Sequence, residues 1–292
     1  MLTIRVPASS ANLGPGFDCL GMAVSLYADI TFAPREEGLI ITGCPAAFAG
    51  PDNLIYRAFT HAARAFGKRV PGLEIAVRSD IPPARGLGSS AACTAAGVMA
   101  AGKLLKTPLS REELLRLCTA LEGHPDNAAA AVYGGIRVSV TEGERVISLP
   151  VEPHPDLRLL ALVPDFPLET ARARQALPDT VPREDAVFNL SRTALIIKAL
   201  ETGAFHLLET ACEDRLHQPY RFPLINGGEA LAAAARAQGA DACVISGAGP
   251  SLMCFYHGPG FPARMSETLA RFPAWQALPL SVATGIQETR TT

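Results

Sequence analysis

The sequence predicts an α+β protein in two domains, on three observations. Strand-like and helix-like apolar patterns are mixed along the chain without regular strand–helix–strand alternation. A chain of 292 residues holds one large domain or two ordinary ones. The proline-rich run Pro150–Pro155 then marks a boundary, dividing the chain into residues 1–152 and 153–292. A hydrophobic content of 48% supplies a sizeable core, and 18% charged residues is too few for a disordered chain.

Thr3–Val6 reads as a short strand, and Pro7–Gly21 as a long loop rich in Gly and Pro. Ser25–Phe32 and Leu39–Thr42 are strand-like. Asn53–Phe66 carries Leu54, Ala58, Ala62 and Ala65 at helical spacing. The strand Leu73–Arg78 leads to a glycine loop and an Ala-rich helix over Ala91–Leu105. Ser110–Glu113 is a capping-box sequence opening a helix that Gly123 is placed to end. Asn127–Val132 forms a short helix, and Ile136–Val140 with Arg145–Leu149 a hairpin over Glu142-Gly143. Beyond the boundary come a strand, Leu157–Val163, and a polar segment reaching Arg183. Helices follow at Ala186–Glu201, Ala204–Leu216 and Gly228–Gln238. Strands Ala242–Ser246 and Ser251–Tyr256 flank a second glycine loop, followed by a helix, Ala263–Phe272, and a strand, Leu280–Ala283.

Composition excludes several classes. A net charge of −2 gives no broad electrostatic reason for a nucleic-acid or anionic-membrane partner. Seven cysteines at irregular spacing, without C-x-x-C, make neither a disulfide nor a zinc framework and fit a reducing compartment. The first residues lack the pattern of a signal peptide. The most apolar window, Leu87–Leu105, is mostly Ala and Gly and too weak for a membrane span. The expectation is a soluble cytoplasmic protein.

The chemistry centres on Ile81-Pro-Pro-Ala-Arg-Gly-Leu-Gly-Ser-Ser-Ala-Ala92. Gly86 and Gly88 remove side chains at a turn that feeds a helix N-terminus, where free N–H groups and the helix dipole suit phosphate. Taken alone, the five residues from Gly86 read better as an ordinary glycine loop capped by serine. No Gly-x4-Gly-Lys-[Ser/Thr] run exists, so this is not a P-loop. Gly86-x-Gly88-x-x-Ala91 fits the looser dinucleotide pattern, but Ser79–Arg85 separates it from its strand and the expected acid is missing.

The whole run resembles the nucleotide-binding motif of the GHMP kinases, roughly P-x3-G-L-G-S-S, with Pro82, Gly86, Leu87, Gly88, Ser89, Ser90 and Ala91 in register. The resemblance implies ATP phosphates on this loop, with Pro83 and Arg85 counted among its contacts and Ser90 near the metal ion. Ser246–Ser251 resembles the family's third motif, which adds Gly247 and Gly249 to the ATP site; a tight Gly-Pro hairpin explains the same residues without a ligand. Asn53–Ala58 resembles the segment near the adenine, although capping of a helix explains Asn53 equally well.

Within that superfamily the chain is most similar to the homoserine kinases. Pro7–Asp18 resembles their N-terminal signature, P-x-S-S-A-N-L-G-x-G-F-D, which implies that Asn12 and Asp18 contact the amino-acid substrate. Glu122-Gly-His-Pro-Asp-Asn127 contains their H-x-D-N, assigning His124, Asp126 and Asn127 to the acceptor site. Asn127 stands where other members carry an aspartate base, and an amide cannot take a proton. Glu122 is the candidate metal-binding acid beside Ser90. Thr170–Pro178 and Asp214–Arg221 resemble two further segments, in which Arg174 and Arg221 match arginines that grip a carboxylate.

The resemblance implies a fold with an S5-like N-terminal domain and a ferredoxin-like C-terminal one. It also implies ATP and Mg2+ as cofactors, homoserine as acceptor without an aspartate base, and a homodimer. The alternatives are a mevalonate- or sugar-type kinase of the same superfamily, or a non-catalytic sensor on the same fold.

Overall fold

The computed structural model describes residues 1–289, and its elements run in chain order as follows. The first half comprises β1 (Leu2–Ala11), β2 (Leu20–Arg35), β3 (Leu39–Thr42), α1 (Leu54–Ala65), β4 (Gly72–Ser79), α2 (Ser89–Leu104), α3 (Arg111–Glu122), α4 (Asp126–Tyr133), β5 (Ile136–Glu142) and β6 (Arg145–Val151). The second comprises β7 (Arg158–Pro164), α5 (Thr170–Gln175), α6 (Arg183–Thr202), α7 (Leu208–Ala211), α8 (Gln218–Arg221), α9 (Gly228–Ala237), β8 (Ala242–Ile245), β9 (Leu252–Tyr256), α10 (Phe261–Leu269), β10 (Trp275–Leu280) and β11 (Gln287–Thr289).

Two sheets organise these elements. The first has the order β11-β1-β2-β4-β3, with β5 pairing the start of β2 and β6 completing a hairpin. The second has the order β10-β7-β9-β8, antiparallel throughout. Its succession of strand, helices, two adjacent strands, helix and strand is that of a ferredoxin-like unit. Among the described residues no helix is long and apolar enough to cross a membrane.

The Ala-rich composition of α2 serves close helix packing. α2 lies against β1 and against α1, α3 and α4. A Cβ on Gly97 would strike the Ile55 carbonyl of α1, so these two helix backbones approach as only small residues allow. Asn53 caps α1 by accepting from the Ile55 N–H, and Ser110 and Glu113 complete the capping box of α3.

Several expectations are corrected. The segment Pro7–Ala11, expected in a loop, continues β1, with a register irregularity between Pro7 and Ala8 that accommodates a residue lacking an N–H. β2 begins five residues earlier than Ser25, because Leu20–Val24 are all buried and show no alternation. The helix expected over Ala204–Leu216 breaks after Ala211, where the Asp214 carboxylate takes the N–H groups of Leu216, His217 and Gln218. The polar segment before Arg183 contains α5. The strand expected over Leu280–Ala283 is displaced to β10, and the chain then returns to the first sheet. Val282 bridges to Val24, Thr284 to Gly134, and β11 pairs with β1. Residues 282–289 therefore pair with the first sheet although they lie beyond the expected division at 152/153.

Candidate active site

The glycine loop joins β4 to α2 and is shaped by what lies beneath it. Gly86 and Gly88 have φ of +70° and +68°, in the left-handed region. A Cβ on Gly88 would strike the Ser9 hydroxyl, and one on Gly86 the Ser246 carbonyl. Ser9 N donates to the Leu87 carbonyl at 3.1 Å, and the Ser246 hydroxyl to the Gly86 carbonyl at 2.6 Å. No side chain caps α2, so the N–H groups of its first turn are left for a ligand.

Arg85 is spent on structure. Its guanidinium donates to the carbonyls of Pro164 and Asp165 at 3.0 and 2.5 Å, tying the loop to the end of β7.

Glu122, the last residue of α3, meets the first turns of α2. Its carboxylate accepts from Ser90 Oγ at 2.9 and 3.0 Å and from Thr94 Oγ1 at 2.6 Å. Among the described residues it has no cationic partner. A carboxylate beside two hydroxyls, all hard oxygen donors without a countercharge, fits a magnesium ion.

Gly123 then adopts φ +85° and turns the chain into His124 and α4. His124 Nδ1 and Asp126 Oδ1 are 2.6 Å apart, and this hydrogen bond raises the His124 pKa above its ordinary value against the effect of burial. Asn127 Oδ1 accepts from the Ser9 hydroxyl at 2.8 Å, while its Nδ2 lies 3.4 Å from Asp126 Oδ1. Asp126, which only accepts, sets the amide's polarity: the nitrogen faces Asp126, and the oxygen takes the Ser9 hydroxyl.

The turn between β1 and β2 supplies Asn12 and Asp18, both with positive φ. Asn12 accepts from Asp18 N at 3.0 Å and donates to the Gly247 carbonyl at 2.8 Å. α6 supports this turn from behind, with Asn189 and Thr193 donating to the Pro15 carbonyl. Arg174 on α5 forms two parallel bonds of 3.0 Å to Asp18, which raise its pKa.

Arg221 differs in kind. It is 1% exposed and, among the described residues, has no carboxylate within ion-pair distance. Burial and the nearby Arg174 charge bring its pKa down to about 10, so it remains a cation at neutral pH.

These residues border one cleft of about 390 Å³. Its lining includes Gly86, Gly88, Ser89, Ser90, Ala91, Arg85 and Glu122 together with Asn12, Asp18, His124, Asp126, Asn127, Arg174, Arg221 and Gly247. The cleft does not take in every expected residue. Asn53 uses its amide on Ile55 N and the Phe48 carbonyl. Leu87 is 1% exposed in the core, Gly249 packs on Ile225, Ile245 and Leu168, and Pro82 and Pro83 stand outside the lining.

Sequence reasoning missed Leu54 and Arg57 on α1, Thr94 and Thr170, which line the cleft, and Ser9, which holds Asn127. Thr94 had a usable signal, since it lies four residues after Ser90 on the same helix face. Ser9 had none, because its partner is 118 positions away.

Known proteins provide an independent comparison. The family model described as GHMP kinases N terminal domain matches residues 53–135. The homoserine kinase of Clostridium botulinum is 44% identical over 253 residues, spanning 87% of this chain and 85% of its own length. That of Gloeobacter violaceus is 46% identical over 263 residues, spanning 88% of both. The crystal structure of homoserine kinase from Cytophaga hutchinsonii superposes with a TM-score of 0.86 at 25% identity, covering 99% of this chain and 97% of that one. L. major mevalonate kinase shares the fold alone, with a TM-score of 0.74 at 16% identity over 96% and 95% of the two chains.

Proposed function

The chain belongs to the homoserine kinases of the GHMP kinase superfamily, and we propose that this cleft transfers the γ-phosphoryl group of ATP to the side-chain hydroxyl of L-homoserine. The product is O-phospho-L-homoserine, on the route to threonine. The observation that carries the substrate reading is Arg221, a buried cation that opens on the cleft and has no carboxylate partner among the described residues. A buried guanidinium without a counter-anion is costly, and an amino-acid carboxylate removes that cost. Asp18 and Arg174, already paired, offer opposite charges to the ammonium and carboxylate of a zwitterion. Asp18, His124 and Asp126 have ligand atoms within 4.8 Å of one another, which suits an ammonium group.

ATP is assigned to Gly86–Ala91 and the uncapped start of α2, closed over by Gly247. Mg2+ is assigned to Ser90 and Glu122; when bound it neutralises charge between the β- and γ-phosphates. Asn127 works by position. Ser9 occupies its oxygen, so its N–H groups are presented to the acceptor oxygen or the γ-phosphate. A loose phosphoryl-transfer transition state needs alignment and charge stabilisation more than a base. The division into units at 152/153, from the proline-rich Pro150–Pro155, a cytoplasmic location, from composition, and a homodimer, from the resemblance, belong to the same proposal. A sugar-type acceptor lacks the carboxylate that Arg221 calls for, mevalonate has a carboxylate but no ammonium for Asp18 and Asp126, and a non-catalytic sensor has no need of two phosphate-suited glycine loops.

The test is ADP release with homoserine, mevalonate, galactose or no acceptor, repeated with Arg174→Ala and Arg221→Ala. Homoserine alone should stimulate release. Each variant should raise KM for homoserine by roughly one to two factors of ten, as expected for a lost charged hydrogen bond, and leave KM for ATP nearly unchanged. A rise in KM for ATP instead would move the arginines to the nucleotide site.

A further inference from the structure

The partners that hold Arg221 are all neutral. Nε donates to the Ala173 carbonyl at 3.3 Å, and Nη1 lies 3.1 Å from the Gly247 carbonyl and 3.3 Å from His217 Nδ1. A guanidinium only donates, so His217 Nδ1 is the acceptor in this contact. The ring proton then sits on Nε2, which donates to the Gly14 carbonyl at 2.7 Å. This tautomer satisfies both ring nitrogens.

The imidazole is otherwise enclosed. His217 is 0% exposed and stacks on Phe17, with ring centroids 5.4 Å apart and planes inclined by 25°. Phe17 in turn lies against both guanidiniums, 5.2 Å from Arg221 and 5.6 Å from Arg174. Asp214 stands 3.7 Å from Nε2, but its oxygens are taken by the Asn189 amide and the N–H groups of Leu216, His217 and Gln218. Burial holds the His217 pKa below its ordinary value, with Asp214 opposing and the Arg221 charge assisting.

We propose that His217 is a positioning residue whose neutral, Nε2-protonated ring holds Arg221 through Nδ1, leaving the guanidinium charge uncompensated for the acceptor's carboxylate. This rests on the assignment of Arg221 made above. A carboxylate at position 217 would fix Arg221 equally well but neutralise it, and the substrate would then compete with the protein for one cation. A neutral acceptor sets direction without using charge. The spacing supports the pairing, since residues 217 and 221 are four apart across the single turn of α8.

The experiment separates the two ring nitrogens. His217→Asn keeps an acceptor near the Nδ1 position, His217→Gln keeps a donor near Nε2, and His217→Leu keeps neither. If the ring acts through Arg221, the glutamine and leucine variants raise KM for homoserine about tenfold, the scale of a hydrogen bond to a charged group, with little change in kcat or KM for ATP. The asparagine variant should then lie closer to wild type. If His217 merely braces Gly14, glutamine is the better replacement, and that order overturns the proposal. Nitrogen-15 NMR of the histidine rings at pH 7 gives a second readout. A neutral Nε2–H tautomer, identified by its loss in His217→Gln, supports the proposal, and an imidazolium or an Nδ1–H tautomer overturns it. Arg221→Ala distinguishes the two levels of failure. Unchanged KM for homoserine there overturns the carboxylate assignment itself, whereas a raised KM there with a wild-type value in His217→Gln overturns only the role of His217.

Discussion

Asn127 shows how much one side chain depends on its neighbours' donors. An amide can present oxygen or nitrogen; Asp126, which only accepts, turns the nitrogen toward itself and leaves the oxygen to the Ser9 hydroxyl. Asn127→Asp should therefore slow turnover, although it introduces a potential base. It places a carboxylate beside Asp126 and beside the γ-phosphate, and like charges ~4 Å apart cost about 4 kcal/mol at an effective dielectric of 20. Single-turnover kinetics across pH is the check: a faster aspartate variant with a new acid limb would mean that proton abstraction limits the native reaction.

At the level of elements, α3 works as a strut with a different task at each end. Its start is fixed by the Ser110–Glu113 capping box, and its end delivers Glu122 to Ser90 and Thr94. Leu114, Leu115, Leu117 and Cys118 bury the face between, so the acid's position follows from packing along the helix. Ser110→Ala removes the cap and should cost about 1 kcal/mol of stability, seen as a lower denaturation midpoint. Turnover should stay at the wild-type value, because the affected end lies three helical turns from Glu122. A loss of kcat in the folded variant would show that fraying reaches the acid.

For the whole molecule, the cleft depends on two sheets meeting at a few polar ties. Asn12 reaches the Gly247 carbonyl, Ser246 reaches both Gly86 and Ser10, and Arg85 reaches Pro164 and Asp165. Asn12 is 4% exposed, and Asn12→Ala takes the partner of the Asp18 N–H and one of the two donors to the Gly247 carbonyl, which keeps Arg221. A buried group left unpaired costs roughly 1–3 kcal/mol. The variant should melt earlier and bind both ATP and homoserine more weakly, because the tie lies between the phosphate-suited loop and the acceptor end. Isothermal titration with each ligand separately is the measurement; weakening toward homoserine alone would make Asn12 a substrate contact and not a tie.

Local signals were readable where they depend on a few adjacent residues. Gly86 and Gly88 mark a turn because a backbone at positive φ favours a residue without Cβ, and Ser110 with Glu113 marks a helix start because both bonds close within one turn. The α+β class followed from the mixture of the two apolar periods. Joint motif order from Pro7 to Ser251 brought Asn12, Asp18, His124, Asp126, Arg174 and Arg221 into one expected site, and all six line the cleft. What no local pattern contains is the identity of a partner far along the chain. Ser9 opposite Asn127 and His217 beneath Gly14 are contacts across 118 and 203 positions. The return of residues 282–289 to the first sheet is of the same kind, because a strand's partner is chosen by which edge is open. Sequence by itself determined which side chains could do the chemistry; tertiary structure decided which atom of each faces the cleft, because burial leaves every polar group to find its partner wherever the chain has brought one.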